Sequence, residues 1–156
     1  MRLNRGVNEK RERPVADKLA ARWRCEWAAM GPYSPMDVYF MRSRQLTAIA
    51  EIRTRNAAYS DQAVIWLSMS KWFHMSQCEM CLALPAFYVM AFIDGIYQAR
   101  IGELPVHTAR KVQGGRTDRT APNDLAPAIL VPAKWFKLVC DSSGVFEDAP
   151  EAEHEG

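Results

Sequence analysis

Eight consecutive apolar residues, Ala86 to Ile93 (AFYVMAFI), constrain the fold of this chain more than any other feature. The run is too short to cross a bilayer, which takes about 20 residues. A strand with no polar alternation must be covered on both faces, so it predicts the centre of a layered sheet. Asp94-Gly95 then reads as a hairpin turn, with Ile96 to Ile101 as the partner strand. The covering layers are expected from two helical stretches. In Asn8 to Met30, the residues Val15, Leu19, Trp23 and Trp27 recur at helical spacing, with Asn8 as N-cap and Pro14 near the helix start. Asp61 to about Ala83 is apolar on most sides, with Ser60 as N-cap. Ala128 to Pro132 reads as a last core strand, and Trp135 to Cys140 as a short segment packed on it. The fold class is therefore α/β, with a mixed central β-sheet of about five strands flanked by two long α-helices.

A chain of 156 residues suits one domain with one core. Residues 1–140 read as that domain. From Asp141 onward there are six acids and no Lys or Arg, and residues 141–156 read as an acidic, disordered tail. Residues 1–140 thus hold 20 bases and 12 acids, a net of +8, which suits a polyanionic partner. The first residues, MRLNRGVNEKRER, lack an apolar stretch, so no secretory signal is expected. Four scattered cysteines do not make a disulfide scaffold and fit a reducing, cytoplasmic compartment.

The stretch Ser34 to Arg55 reads as two strands around the polar turn Arg42-Ser43-Arg44-Gln45. Asp37 stands where the first strand begins, and Glu51 sits inside the second. Glu51 and Arg53 are two apart and share one face, while Ala50 and Ile52 take the other. A carboxylate among isoleucines is costly to bury without compensation. Two carboxylates joined by a hairpin make the minimal oxygen cage for Mg²⁺.

An Asp, a hairpin and then E-x-K on the second strand is the active-site pattern that this segment resembles, that of the PD-(D/E)XK nuclease superfamily with its restriction-endonuclease-like fold. Here it reads Pro35-Met36-Asp37 and Glu51-Ile52-Arg53, with arginine in the lysine position. The resemblance implies a metal-dependent nuclease of phage or mobile-element type, hydrolysing phosphodiester bonds of DNA. It implies Asp37 and Glu51 as ligands to Mg²⁺ or Mn²⁺, and catalytic roles for Asp37, Glu51, Arg53 and Lys71. Lys71 enters because branches of the family carry the lysine on the following helix. Glu12 on the first helix matches a further family glutamate that reaches the metal. The partner implied is DNA, with no membrane, in a bacterial or phage-infected cell, and many nucleases of the fold form homodimers.

Arg42, Arg44, Arg55, Arg116 and Arg119 are the expected nucleic-acid contacts. The last two lie in a polar loop after Gly114-Gly115, which can follow a phosphate backbone. His74, Cys78 and Cys81 fall on one helical face, but their spacing matches no standard zinc motif. Arginine in place of the motif lysine keeps a second reading open, a catalytically degraded nuclease fold that binds DNA or serves as a scaffold. A third is a structural protein whose Met- and aromatic-rich stretch Trp66 to Met80 is an oligomer interface.

Overall fold

A computed structural model describes residues 5–34, 36–114 and 126–146, and of residues 5–10 the backbone only. The chain runs through α1 (Arg5–Trp23), β1 (Glu26–Ala29), β2 (Val38–Arg42), β3 (Gln45–Thr54), β4 (Val64–Ser68) and α2 (Met69–Leu82). It continues through β5 (Ala86–Phe92), β6 (Gly95–Arg100), β7 (Arg110–Gly114), β8 (Ala126–Pro132) and β9 (Lys137–Cys140). The main sheet has six strands in the order β1-β2-β3-β5-β6-β9. The pair β3 and β5 is parallel and the other pairs are antiparallel, so the sheet is mixed as expected. A second, three-stranded sheet, β4-β8-β7, adds to the expected central sheet.

The run Ala86 to Ile93 forms β5 at the centre, with Val89 to Phe92 buried on both faces. On one face, Val15, Ala16, Leu19 and Ala20 of α1 pack on Val38, Phe40, Ala50, Ile52 and Val89. On the other, Met75 of α2 and Ile65, Leu67, Ile129 and Val131 of the second sheet pack on Ile49, Tyr88, Met90 and Phe92. Alternation along β3 thus sends Ala48, Ala50 and Ile52 to α1, and Ile49 to α2.

Both helices are shorter than expected, for tertiary reasons. The first ends at Trp23, and Trp27 lies instead on β1, opposite Phe40 of β2. Arg42 fixes that end: its guanidinium donates to the carbonyls of Trp23 (2.7 Å) and Arg24 (3.1 Å). Arg24 itself turns into the left-handed region (φ 57°). Neither Asn8 nor Pro14 marks the start, since both lie inside the helix. The predicted second helix splits, and its first third becomes β4. In Val64–Ser68, Ile65 and Leu67 are buried and Trp66 and Ser68 exposed, a period of two that pairing with β8 uses. Ser68, not Ser60, is the N-cap of α2, its hydroxyl accepting from the Lys71 amide at 2.9 Å.

The predicted tail boundary at Asp141 falls too early. Val145 is buried beside α1, and the Ser142 hydroxyl donates to the Ile93 carbonyl at 2.9 Å. Asp141 pairs with Lys18 at 3.0 Å, and Arg11 lies over the Phe146 ring. Residues 147–156 lie outside the described residues. A truncation after Phe146 sets the reference for a urea melt. Removing 141–156 should cost roughly 3 kcal/mol, from one buried valine side chain and one hydrogen bond. Equal midpoints for the two truncations would show that 141–146 add nothing.

Candidate active site

Glu51 lies at the middle of the fold's chemistry because of β3. It faces the α2 side of the sheet opposite Tyr88 of β5 and is only 1% exposed. Asp37 is held beside it by the hairpin. The Asp37 amide donates to the Ala50 carbonyl (3.1 Å), and its carboxylate accepts from the Ile52 amide (2.8 Å). These two bonds bracket Glu51, so the two carboxyl groups become neighbours. Burial, then the charge of Asp37, pushes the Glu51 pKa up to about 7. Burial also raises Asp37, although the Ile52 amide and the nearby cations oppose it.

Two cations answer that buried carboxylate. Arg53 Nη2 stands 2.8 Å from Glu51 Oε2, and Lys71 Nζ stands 3.2 Å from Oε1. Burial acts to lower the Arg53 pKa, but Glu51, Tyr88, Asp37 and Glu12 together hold it above its ordinary value. Glu12 of α1 is therefore close enough to act on the site through Arg53. Tyr88 extends the network, its hydroxyl donating to the Trp66 carbonyl (3.2 Å) and bonding Arg53.

The expectation for Lys71 changes for the better. The sequence put it three turns into a helix. In the structure it sits in the first turn of α2, where the Ser68 cap fixes its backbone and its side chain reaches Glu51. Arg55 joins Arg53, Lys71, Tyr88 and Trp66 in lining a cleft of about 380 Å³. Arg42 does not, because its guanidinium closes α1. Arg44 forms the β2–β3 turn with Ser43, both at positive φ (67° and 51°), at the end of the hairpin away from Glu51. Arg116 and Arg119 lie outside the described residues, as does Pro35. Arg42→Ala should therefore cost about 1 kcal/mol of stability and leave DNA affinity unchanged. A filter-binding titration beside a urea melt checks both halves.

Among the described residues no group of three His, Cys, Asp or Glu is gathered closely enough to hold a metal. His74, Cys78 and Cys81 form no such site, and neither does Glu12 with the hairpin pair. Asp37 and Glu51 remain a two-carboxylate oxygen set whose mutual repulsion a divalent cation would relieve, so they fit a hard ion such as Mg²⁺ or Mn²⁺. Asp94, read as a turn residue, has that structural role: it accepts from the amides of Tyr59 and Ser60. Sequence reasoning missed Trp66, Ser68 and Tyr88. The alternation of Ile65 and Leu67 was the one signal that could have placed the first two on a strand.

Residues 5–139 match the family described as "Phage putative PDDEXK endonuclease". This chain belongs to that family. The PD-(D/E)XK pattern read from Asp37, Glu51 and Arg53 thus agrees with a match across most of the chain. A solved structure from Archaeoglobus fulgidus, Hjc, a Holliday junction resolvase, superposes with a TM-score of 0.52 at 12% identity. The alignment covers 90% of this chain and 96% of that one, which shows a shared restriction-endonuclease-like fold. No curated protein sequence matches the chain.

Proposed function

We propose that this chain is a metal-dependent nuclease that hydrolyses phosphodiester bonds of DNA, with Asp37 and Glu51 as the metal ligands. One observation carries the reading: a buried glutamate beside an aspartate, ion-paired to Lys71 and Arg53, at a cleft lined by cations. When bound, Mg²⁺ or Mn²⁺ supplies Lewis acidity toward the scissile phosphate and lowers the pKa of water. Asp37 and Glu51 hold that ion, and Glu12 acts on the pair from α1 through Arg53. Lys71 takes the role of the motif lysine: its ammonium is small and orients the attacking water. Arg53 cannot give up a proton in the working pH range, so it serves as the fixed positive charge that keeps Glu51 ionised for the metal. Arg55, exposed at the cleft, takes a flanking phosphate.

DNA fits this reading through the basic cleft, and the resolvase of like fold acts on a DNA junction. The reading takes the setting to be the cytoplasm of a bacterial or phage-infected cell, where a homodimer would cut both strands. Among the described residues no helix is long and apolar enough to cross a membrane. The test is cleavage of single-stranded, duplex and branched DNA with Mg²⁺, with Mn²⁺ and with EDTA. Metal-dependent cleavage of any form supports the assignment. Retention on DNA with no cleavage in either metal overturns it in favour of the degraded, DNA-binding reading, which Arg53 in the lysine position supports.

A further inference from the structure

We propose that Trp66 is a stacking platform for an unpaired nucleobase, so that the cleft takes strands with an unpaired base beside the bound phosphate. The inference deepens the nuclease reading and rests on it for the identity of the polyanion. Trp66 is on β4, yet it turns away from the core that its neighbours Ile65 and Leu67 fill. It is 46% exposed and is one of the residues that line the cleft beside Lys71 and Arg53. Its six-membered ring comes close to Gly114 of the second sheet. A methyl group added at Gly114 would meet the ring at 2.6 Å, and the same methyl would touch Ala128 Cβ at 3.1 Å. Glycine at 114 therefore makes room for the ring, which lines the cleft.

The cleft beside that ring is chemically one-sided. Among the described residues that line it, Arg53, Arg55 and Lys71 are cationic and none is acidic. Trp66 and Ser68 point to the same face of β4, about 7 Å apart. Ser68 caps the helix turn that presents Lys71. A phosphate held at Lys71 therefore places an adjoining base within reach of the Trp66 ring. Cationic groups for the backbone beside an exposed aromatic ring for a base are the two halves of single-strand recognition. In continuous duplex the bases are stacked on one another, and the ring has no π-face to take.

The test uses the full chain in EDTA, so that binding is read without cleavage, with a short oligodeoxythymidylate and a blunt duplex of equal length as probes. Oligodeoxythymidylate should quench tryptophan fluorescence, and the quench should vanish in Trp66→Phe. Trp66→Leu keeps apolar bulk without a stacking face, and should weaken oligodeoxythymidylate binding about 5- to 100-fold more than duplex binding. Trp66→Phe should fall between. Gly114→Ala keeps the tryptophan and displaces its ring, and should reproduce the selective loss. An equal loss on both probes, no loss on either, or a wild type that does not bind oligodeoxythymidylate overturns the platform. A parallel cleavage assay in Mn²⁺ separates the two readings. Cleavage insensitive to Trp66→Leu removes the platform and keeps the nuclease, whereas Trp66-dependent binding without cleavage keeps the platform and removes the nuclease.

Discussion

Glu51→Gln should abolish Mn²⁺ binding and cleavage and yet give a protein more stable than the wild type at pH 8. The substitution keeps the shape of a side chain that is 1% exposed and removes its ability to ionise. Cleavage should fall by at least ~10²–10³, as expected when one charged group is lost from a dry site. The stability gain follows from linkage. The folded-state pKa of Glu51 is about 7, above its ordinary 4.5. A carboxyl raised in this way contributes its full stability below pH 4.5, and that contribution is lost as pH rises through 7. Glutamine cannot ionise and loses nothing over that window. The wild type should therefore fall behind by about 1–3 kcal/mol between pH 5 and pH 8. Arg53 and Lys71 lose a partner in the variant, but their side chains are 45% and 23% exposed and can turn to water. Urea midpoints at the two pH values read the difference, and calorimetry with Mn²⁺ reads the metal. For the wild type, affinity should climb about tenfold per pH unit below 7, because the ligand must shed its proton first. Parallel pH profiles for the two proteins, or unchanged Mn²⁺ affinity in the variant, would remove Glu51 from the site.

The second large effect separates the two cations. Lys71→Ala should lower the plateau of the pH–rate profile by ~10²–10³. Arg53→Lys should keep activity or raise it, since a smaller ammonium enters the motif position. Arg53→Ala should act mainly on the acid limb. The Arg53 charge helps to hold the Glu51 carboxyl down, so its loss lets that pKa rise further. The limb then moves to higher pH, and rate recovers where Glu51 is again ionised. Rates for the three variants across pH 6 to 10 should show a lowered plateau in one and a displaced limb in another. Equal loss of plateau in Lys71→Ala and Arg53→Ala would mean that both cations share the transition-state role. A wild type inert with either metal, and not rescued by Arg53→Lys, would leave no catalytic role for either.

The sequence by itself determined the parts whose signal is local. Asp37, the turn and Glu51-x-Arg53 lie within one hairpin, and the period of two sent Glu51 and Arg53 to one face and Ala50 and Ile52 to the other. The apolar run at Ala86 to Ile93 required cover on both sides, and α1 and α2 with the second sheet supply it. Tertiary structure decided the rest, because the deciding partners are far away in the chain. Val64–Ser68 has enough apolar character for helix or strand, and its pairing with β8 more than 60 residues later selects the strand. That choice moves the start of α2 to Met69 and puts Lys71 in its first turn, within reach of Glu51. It also turns Trp66 from a helix core position to the wall of the cleft. Arg42 reads in sequence as one more surface base, and only the fold brings the α1 carbonyls to it. Val145 sits in a stretch whose composition says tail, and is buried because α1 leaves an apolar surface for it to cover. Local pattern sets which face a side chain takes, while long-range pairing sets what that face meets.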